Sequence, residues 1–169
     1  MTTTLSAVNV RRRLASVVLV LAVPALSSCA VSFGAQTDQV YNPSVGVDDR
    51  SGAVDVLNAL VVSGTTGSGA VIATLVNNDQ QRPDALRGVA GSGSDASLKV
   101  TPGGATTIPA GGLLNLATDG RIAIRGARVA PGNFVTITFT FARAQAITVQ
   151  APVVANSSEY AGVKVPTGP

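Results

Sequence analysis

The sequence contains no histidine and no tryptophan, and it has a single cysteine, Cys29, and a single methionine, Met1. Without histidine, Ser-His-Asp and Cys-His catalysis lack their general base. The common zinc and copper sites likewise lose their imidazole ligands and nearly all of their sulfur ligands. Aromatic residues make up only 4% of the chain. A core of small side chains packs imperfectly, so one open function is the carriage of a small apolar ligand between two sheets.

The remaining groups that could perform acid-base chemistry are carboxylates. They are Asp38, Asp48, Asp49, Asp55, Asp79, Asp84, Asp95, Asp119 and Glu159. Glycoside hydrolysis would need two of them at a defined separation. Most stand beside Gly, Asn, Pro or Ser, where aspartate is expected to hydrogen-bond the backbone of a turn. We therefore predict that the protein is not an enzyme and that it uses no metal and no organic cofactor.

A short apolar segment ends at Leu26-Ser27-Ser28-Cys29, which has the form of a bacterial lipobox. Arg11-Arg12-Arg13 gives the positive start of a secretory signal peptide, and Leu14 to Leu26 gives its apolar region. This run is too short for a typical transmembrane helix. We predict that residues 1–28 are a cleaved signal peptide, that signal peptidase II recognises Leu26, Ser27 and Ser28, and that Cys29 is lipidated. The alternative is a buried cysteine after a short core helix.

Lipidation at Cys29 would decide where the protein resides. A diacylglycerol on the cysteine sulfur supplies two acyl chains, which together give stable membrane attachment. We expect a palmitate-type lipid anchor at the extracytoplasmic face of the cell membrane, reached by Sec export, with the twin-arginine route as the alternative. The signal peptide carries three of the 12 basic residues, so nine basic residues balance nine acidic ones in the mature chain. This balance offers no basic patch for nucleic acid, and an envelope protein or glycolipid is the expected partner.

The mature chain divides by composition into three parts. Residues 29–45 are small and polar and predict a tether, residues 46–155 predict a β-sandwich domain, and residues 156–169 predict a flexible tail. Val54–Val62 and Ala70–Val76 predict an antiparallel pair, with a glycine-rich loop between them. Phe134–Phe141 alternates strictly, with Val135, Ile137, Phe139 and Phe141 on one face.

Shorter strands are predicted in the rest of the domain. They are Leu86–Val89, Ser97–Val100, Thr106–Ile108 and a last strand from Ile147 that stops at Pro152. No window outside the signal peptide has a convincing helical period. Six or more strands separated by glycine turns predict an all-β, antiparallel sandwich.

Two local patterns have both a functional and a structural interpretation. Gly91-Ser92-Gly93-Ser94-Asp95-Ala96 matches the dinucleotide pattern GxGxxA, but a strand, Leu98-Lys99-Val100, follows where a nucleotide site needs a helix. We predict a turn there. Asp48-Asp49 beside Asn42 is either a weak calcium site in an exposed loop or a solvated acidic turn.

Five segments occur in an order that resembles the copper chaperone PCu(A)C family, and with the lipobox they resemble its actinobacterial, LpqE-like lipoprotein branch. The segments are Leu75-Val76-Asn77-Asn78, Asp84-Ala85-Leu86-Arg87-Gly88-Val89, Ile108-Pro109-Ala110-Gly111-Gly112, Gly132 to Phe141 and Val149-Gln150-Ala151-Pro152-Val153. The resemblance covers about Val54 to Val154. It implies a cupredoxin-like or immunoglobulin-like β-sandwich and a copper-chaperone activity.

The family's copper ligands, as the resemblance implies them, are absent here. Members hold copper with a His and a Met, followed by a His-x-Met pair on a later strand. The first His falls near Thr101, and the later pair falls on Arg121 and Ala123. The loop with the first Met is shortened around Pro102 to Ile108. We therefore predict a non-enzymatic, membrane-anchored lipoprotein of the cell envelope that acts as a binding or scaffolding module. A PCu(A)C-type metallochaperone and a carrier of a small apolar ligand are the alternatives.

Overall fold

A computed structural model of the chain describes residues 45–101, 103, 106–120 and 122–166. The predicted signal peptide, the lipobox residues Leu26, Ser27 and Ser28, the lipidation site Cys29 and most of the predicted tether lie outside these residues. Within them, the regular structure is almost entirely β-strand, which confirms the all-β prediction.

Ten strands form within the described residues. They are β1 (Val47–Asp49), β2 (Val54–Thr65), β3 (Ser68–Asn77), β4 (Asp84–Gly91), β5 (Lys99–Thr101), β6 (Thr107–Ile108), β7 (Leu113–Asn115), β8 (Ile122–Arg125), β9 (Phe134–Phe141) and β10 (Ile147–Ala155). Short 3₁₀ turns occupy Gly93–Asp95 and Ser158–Tyr160, and a single π-helical turn occupies Leu116–Gly120.

The strands follow one hydrogen-bonded path, in the order β5-β8-β3-β2-β10-β9-β4-β6, while β1 pairs with β2 and β7 with β3. Neighbours along the path are antiparallel except for β2 and β10, which run parallel where Val61 pairs with Val153. The sheet curls so that β2, β3 and β8 share one apolar core with β4, β9 and β10. This is the predicted sandwich, with one parallel junction that local sequence patterns do not reveal.

Strand β9 has the predicted bounds and the predicted faces. Val135, Ile137, Phe139 and Phe141 are buried, while the threonines between them point outward. Phe139 has no exposed surface and is among the largest fully buried side chains. The period-two pattern therefore identified the core side of the strand correctly, because alternate side chains of a strand face opposite sides of its sheet.

The prediction that the last strand stops at Pro152 is wrong, since β10 continues to Ala155. The N–H of Val153 donates to the carbonyl of Asn133, so the nitrogen of the preceding Pro152 points to the other edge of the strand. Registered pairing on that edge begins only at Val153. The missing N–H of proline therefore removes no ladder bond.

Residues 158–166 also differ from the flexible tail predicted at residues 156–169, of which residues 167–169 lie outside the described residues. After the 3₁₀ turn at Ser158–Tyr160, the chain crosses the outer face of β2 and β3, and we call residues 158–166 the C-terminal strap. Its side chains Tyr160, Val163 and Val165 pack on a second apolar cluster made by Leu60, Val62 and Ile72. At its far end, the Ser68 hydroxyl donates to the Pro166 carbonyl at 3.4 Å.

Candidate functional site

The positions that correspond by resemblance to copper ligands lie where β5 pairs with β8. Thr101 is directly opposite Ala123, Val100 opposite Ile124, and Lys99 opposite Arg125. Ile124 is fully buried and Val100 packs against the core, so the other two pairs face outward. We call the outward side chains of Lys99, Thr101, Ala123 and Arg125 the basic ledge. Arg121 lies outside the described residues.

The basic ledge does not fit copper. Cu(I) prefers thiolate, thioether and imidazole ligands, whereas this surface offers a hydroxyl, a methyl group and two cationic side chains. A nearby positive charge also opposes the binding of a metal cation. Among the described residues, no group of three or more His, Cys, Asp or Glu side chains is placed to hold a metal ion.

Asp84 lines a cleft, and its carboxylate oxygens accept hydrogen bonds from the backbone. Asp84 follows the Arg82-Pro83 corner and accepts hydrogen bonds from the N–H groups of Ala85, Ala142, Arg143 and Ala144, at 2.7 to 3.1 Å. Burial raises the pKa of Asp84, but the four backbone donors outweigh it and lower the pKa below its ordinary value. Asp84 thereby ties the start of β4 to the turn after β9.

Asp79 lines the same cleft, with its side chain 24% exposed. The N–H of Gln81 makes the largest contribution to lowering its pKa to about 2. Burial makes the second-largest contribution and raises the pKa, whereas hydrogen bonds from the side chains of Arg143 and Arg82, at 3.2 and 3.0 Å, lower it. Glycoside hydrolysis requires one carboxyl group that stays protonated. Asp79 and Asp84 both have lowered pKa values, so this pair does not supply the acid.

Asp95, within the GxGxxA pattern, also has a structural role. Its carboxylate is 1% exposed, accepts a hydrogen bond from the Thr136 N–H at 2.9 Å, and pairs with Arg128 Nε at 2.8 Å. The 3₁₀ turn that contains it replaces the helix a nucleotide site would need. A Cβ at Gly91 would collide with the Asp95 carbonyl oxygen, so tight turn packing explains that glycine. The predicted turn is confirmed.

The acidic pair at 48–49 fastens β1 to β2. Asp48 accepts the N–H of Asn58 at 2.7 Å and pairs with Arg50 at 3.2 Å. Asp49 accepts the N–H and hydroxyl of Ser51, and the hydroxyl bond does most to lower the pKa of Asp49. Asp48 and Asp49 therefore form the end of a strand rather than the predicted turn, and their carboxylates make structural bonds. Asn42 lies outside the described residues.

Two small clefts have linings made of described residues. The cleft around Asp79 and Asp84 measures about 130 Å³, and a second, bordered by Asn58, Ile72 and Asn115, measures about 120 Å³. Sites for drug-sized ligands are roughly 300–1,000 Å³. Neither cleft therefore supports the carriage of an apolar ligand. In the described ranges, no helix has the length and apolar character needed to cross a membrane.

The chain matches no protein-family model and no curated protein. Among solved structures, it is similar to the copper-bound PCuAC domain from PmoF2, with a TM-score of 0.53, 19% identity, and coverage of 64% of this chain and 98% of that domain. The apo PCuAC domain from PmoF1 gives a TM-score of 0.53, 17% identity, and coverage of 64% and 99%. The chain therefore has a PCuAC-like fold.

The sequence analysis did not predict strand β8, which forms the basic ledge together with β5. The strand β8 is four residues long and was not predicted, so the pairing of Arg125 with Lys99 was not predicted either. The one available signal was the spacing of two buried isoleucines, Ile122 and Ile124, around an outward position. A pattern this short occurs too often to predict a strand.

Proposed function

We propose that this protein is a non-enzymatic, lipid-anchored component of the cell envelope, whose PCuAC-like domain acts as a binding or scaffolding module. One observation carries the proposal. The basic ledge stands where the resembling family keeps copper ligands, and it presents Lys99, Thr101, Ala123 and Arg125 instead. A PCuAC-like fold without soft ligands is suited to binding a partner rather than a copper ion.

The lipobox supports the location in this proposal. A diacylglycerol on Cys29 would hold the domain at the extracytoplasmic face of the membrane, with residues 29–45 as the tether. The combination of lipobox and PCuAC-like fold supports placement in the actinobacterial LpqE-like branch. The expected partner is an envelope protein or a glycolipid.

Copper delivery is the second candidate, because one of the structural neighbours is a copper-bound domain. The two functions can be separated by an anaerobic Cu(I) titration of the full chain against a chromophoric chelator, together with thermal unfolding. A ligand that binds only the native state adds about 2.7 kcal/mol of stability at a hundredfold excess over Kd. We expect no such gain and no saturable one-to-one site of sub-micromolar affinity.

A ligand-restored variant supplies the positive control. Combining Thr101→His, Arg121→His and Ala123→Met places imidazole and thioether groups at the positions implied by the resemblance. Its Cu(I) affinity is expected to exceed that of the natural chain, which shows that the assay detects such a site. A sub-micromolar, one-to-one site in the unmodified chain would overturn the binding-module proposal in favour of the metallochaperone.

A further inference from the structure

The outward side of β2, β3 and β7 carries apolar side chains, and we call it the outer face. The strand register places Leu60 opposite Ile72 and Val76 opposite Leu113 on this face. The residues next to Val76 and Leu113 in each strand belong to the main core, so this pair points away from it. An apolar surface that lies outside the core is typical of a site for a partner.

The outer face has a covered half and an exposed half. In the covered half, Leu60, Val62 and Ile72 are buried beneath the C-terminal strap. In the exposed half, Leu113 is 58% exposed and Val76 is half-buried. The strap therefore covers one part of an apolar surface that continues beyond it.

The contacts that hold the strap on the sheet are chiefly apolar. Its own backbone bonds are local, since the N–H of Tyr160 donates to the Ser157 carbonyl and the N–H of Val163 to the Tyr160 carbonyl. The bond from the Ser68 hydroxyl to the Pro166 carbonyl is 3.4 Å long, whereas two oxygens usually lie about 2.5–3.0 Å apart. The strap can leave the sheet with its internal bonds intact, and such segments open at a low free energy.

Gly64 shows that the strap occupies a fitted seat. A Cβ atom at this position would lie 2.8 Å from Cγ1 of Val165. Because the β-branched side chain of Val165 is stiff at χ1, it cannot easily turn away. The covered half thus accepts an apolar segment at a defined place, and one added methyl group on the sheet is enough to obstruct it.

We propose that the outer face is a docking site for a short apolar segment of a protein partner, and that the C-terminal strap is a displaceable cover that competes for this site. The inference rests on the binding role proposed above and names the chemistry of the partner. The strap itself shows that the covered half accepts aromatic and β-branched side chains. A partner segment that also covers Val76 and Leu113 gains contacts beyond those of the strap. This surplus offsets the advantage that the strap has as part of the same chain.

The test titrates the isotopically labelled full chain, in nanodiscs of an uncharged lipid, with a synthetic peptide of residues 157–166. A released chain carries Val163→Asp and Val165→Asp, which free its own strap and leave the seat on the sheet intact. Methyl resonances of the covered half are expected to shift and saturate in the released chain. The natural chain should bind the peptide at least about tenfold more weakly, because its tethered strap competes at a high effective concentration.

Gly64→Ala in the released chain places a methyl group against Val165 of the peptide. It should weaken binding about tenfold, the effect expected of overpacking one methyl group. Gly88→Ala is the matched control, because a Cβ atom there would meet nothing within 4 Å. It should leave the affinity unchanged. The proposal is overturned if the shifts do not saturate, or if Gly64→Ala and Gly88→Ala bind the peptide alike.

Thermal unfolding checks that each variant remains folded. If the two aspartates unfold the released chain, Val163→Thr and Val165→Thr replace them, because threonine keeps the shape of valine and adds a polar hydroxyl group.

Photo-crosslinking in the cells that produce the chain tests the partner. A photoreactive amino acid replaces either Leu113 in the exposed half or Val154, which packs beside the covered half. The proposal is supported if one protein is crosslinked from both positions and the yield from position 154 rises in the released chain. Crosslinks to a second copy of this chain, to lipid alone, or from position 113 alone would overturn it. Tight Cu(I) binding would overturn the proposed function but leave these results intact, so the two failures are distinguishable.

Discussion

At the scale of single residues, Asp84 shows how one side chain can join two distant parts of the chain. Its carboxylate accepts four backbone N–H groups, three of them from the turn at residues 142–144. Asp84→Ala is expected to reduce the free energy of unfolding by about 1–3 kcal/mol, because buried donors lose their acceptor. Urea unfolding measures this loss.

The control for Asp84 is Asp84→Asn, which keeps the size and one acceptor oxygen. Its free energy of unfolding should lie between those of the natural chain and Asp84→Ala. Equal unfolding midpoints for the natural chain and Asp84→Ala would show that water satisfies these N–H groups equally well.

The lowered pKa of Asp79 predicts how the free energy of unfolding depends on pH. Its pKa is about 2 in the folded protein, against an ordinary value of 3.8. A lowered pKa stabilises the fold above about pH 4, and this contribution is lost as the pH falls toward 2. Asp79→Asn should therefore unfold more easily than the natural chain at pH 7, and the difference should vanish near pH 2.

Denaturant unfolding of both chains between pH 2 and pH 7 tests this expectation. Asp49 and Asp84 also have lowered pKa values. Their effects on the pH dependence of the free energy of unfolding are the same in both chains and cancel in the comparison. A difference that stays constant across the whole range would show that Asp79 does not contribute through its charge.

At the scale of elements, β9 carries the largest buried side chain of the core, Phe139. Phe139→Ala is expected to reduce the free energy of unfolding by about 3–5 kcal/mol, since it removes buried apolar contacts and leaves a cavity. The outward Thr138→Ala on the same strand is the matched control and should cost far less. Thermal unfolding compares the two, and similar losses would contradict the assignment of the core face.

The C-terminal strap covers the second apolar cluster. A chain ending at Asn156 would expose Leu60, Val62 and Ile72 to solvent. We expect a lower melting temperature and stronger binding of a dye that recognises apolar surfaces, because burial of these side chains stabilises the native state. A chain ending at Pro166 keeps the strap and serves as control. Equal melting temperatures for the two truncated chains would mean that the strap adds no stability.

The longer strands were all predicted, whereas only some of the short ones were: β5 and β6 correspond to the predicted Ser97–Val100 and Thr106–Ile108. β2, β3 and β9 have eight or more residues with β-branched or alternating side chains, and each was found from sequence. β1, β7 and β8 have three or four residues and were missed. A strand that short becomes stable through its neighbours in the sheet, so its own sequence carries little signal.

At the scale of the whole molecule, the proposed lipid anchor at Cys29 would decide whether the protein is attached to the membrane. Cys29→Ala removes the sulfur that would carry the diacylglycerol. We expect the variant to lose incorporation of a metabolic lipid label and to leave the membrane fraction. Cys29→Ser is a second variant without a thiol and should behave alike. Continued lipid labelling of either variant would contradict the lipidation assignment.

The sequence by itself determined the all-β class, the core face of β9, and the absence of histidine together with the scarcity of sulfur ligands. These follow from composition and from periods that repeat within one strand. Only the tertiary structure decided the parallel junction of β2 with β10, the position of the strap, and the opposition of Lys99 to Arg125. Each depends on which distant segments become neighbours, and in which register. A one-residue change of register would turn Lys99 to the other face of the sheet, so the packing of the whole core decides what this surface presents.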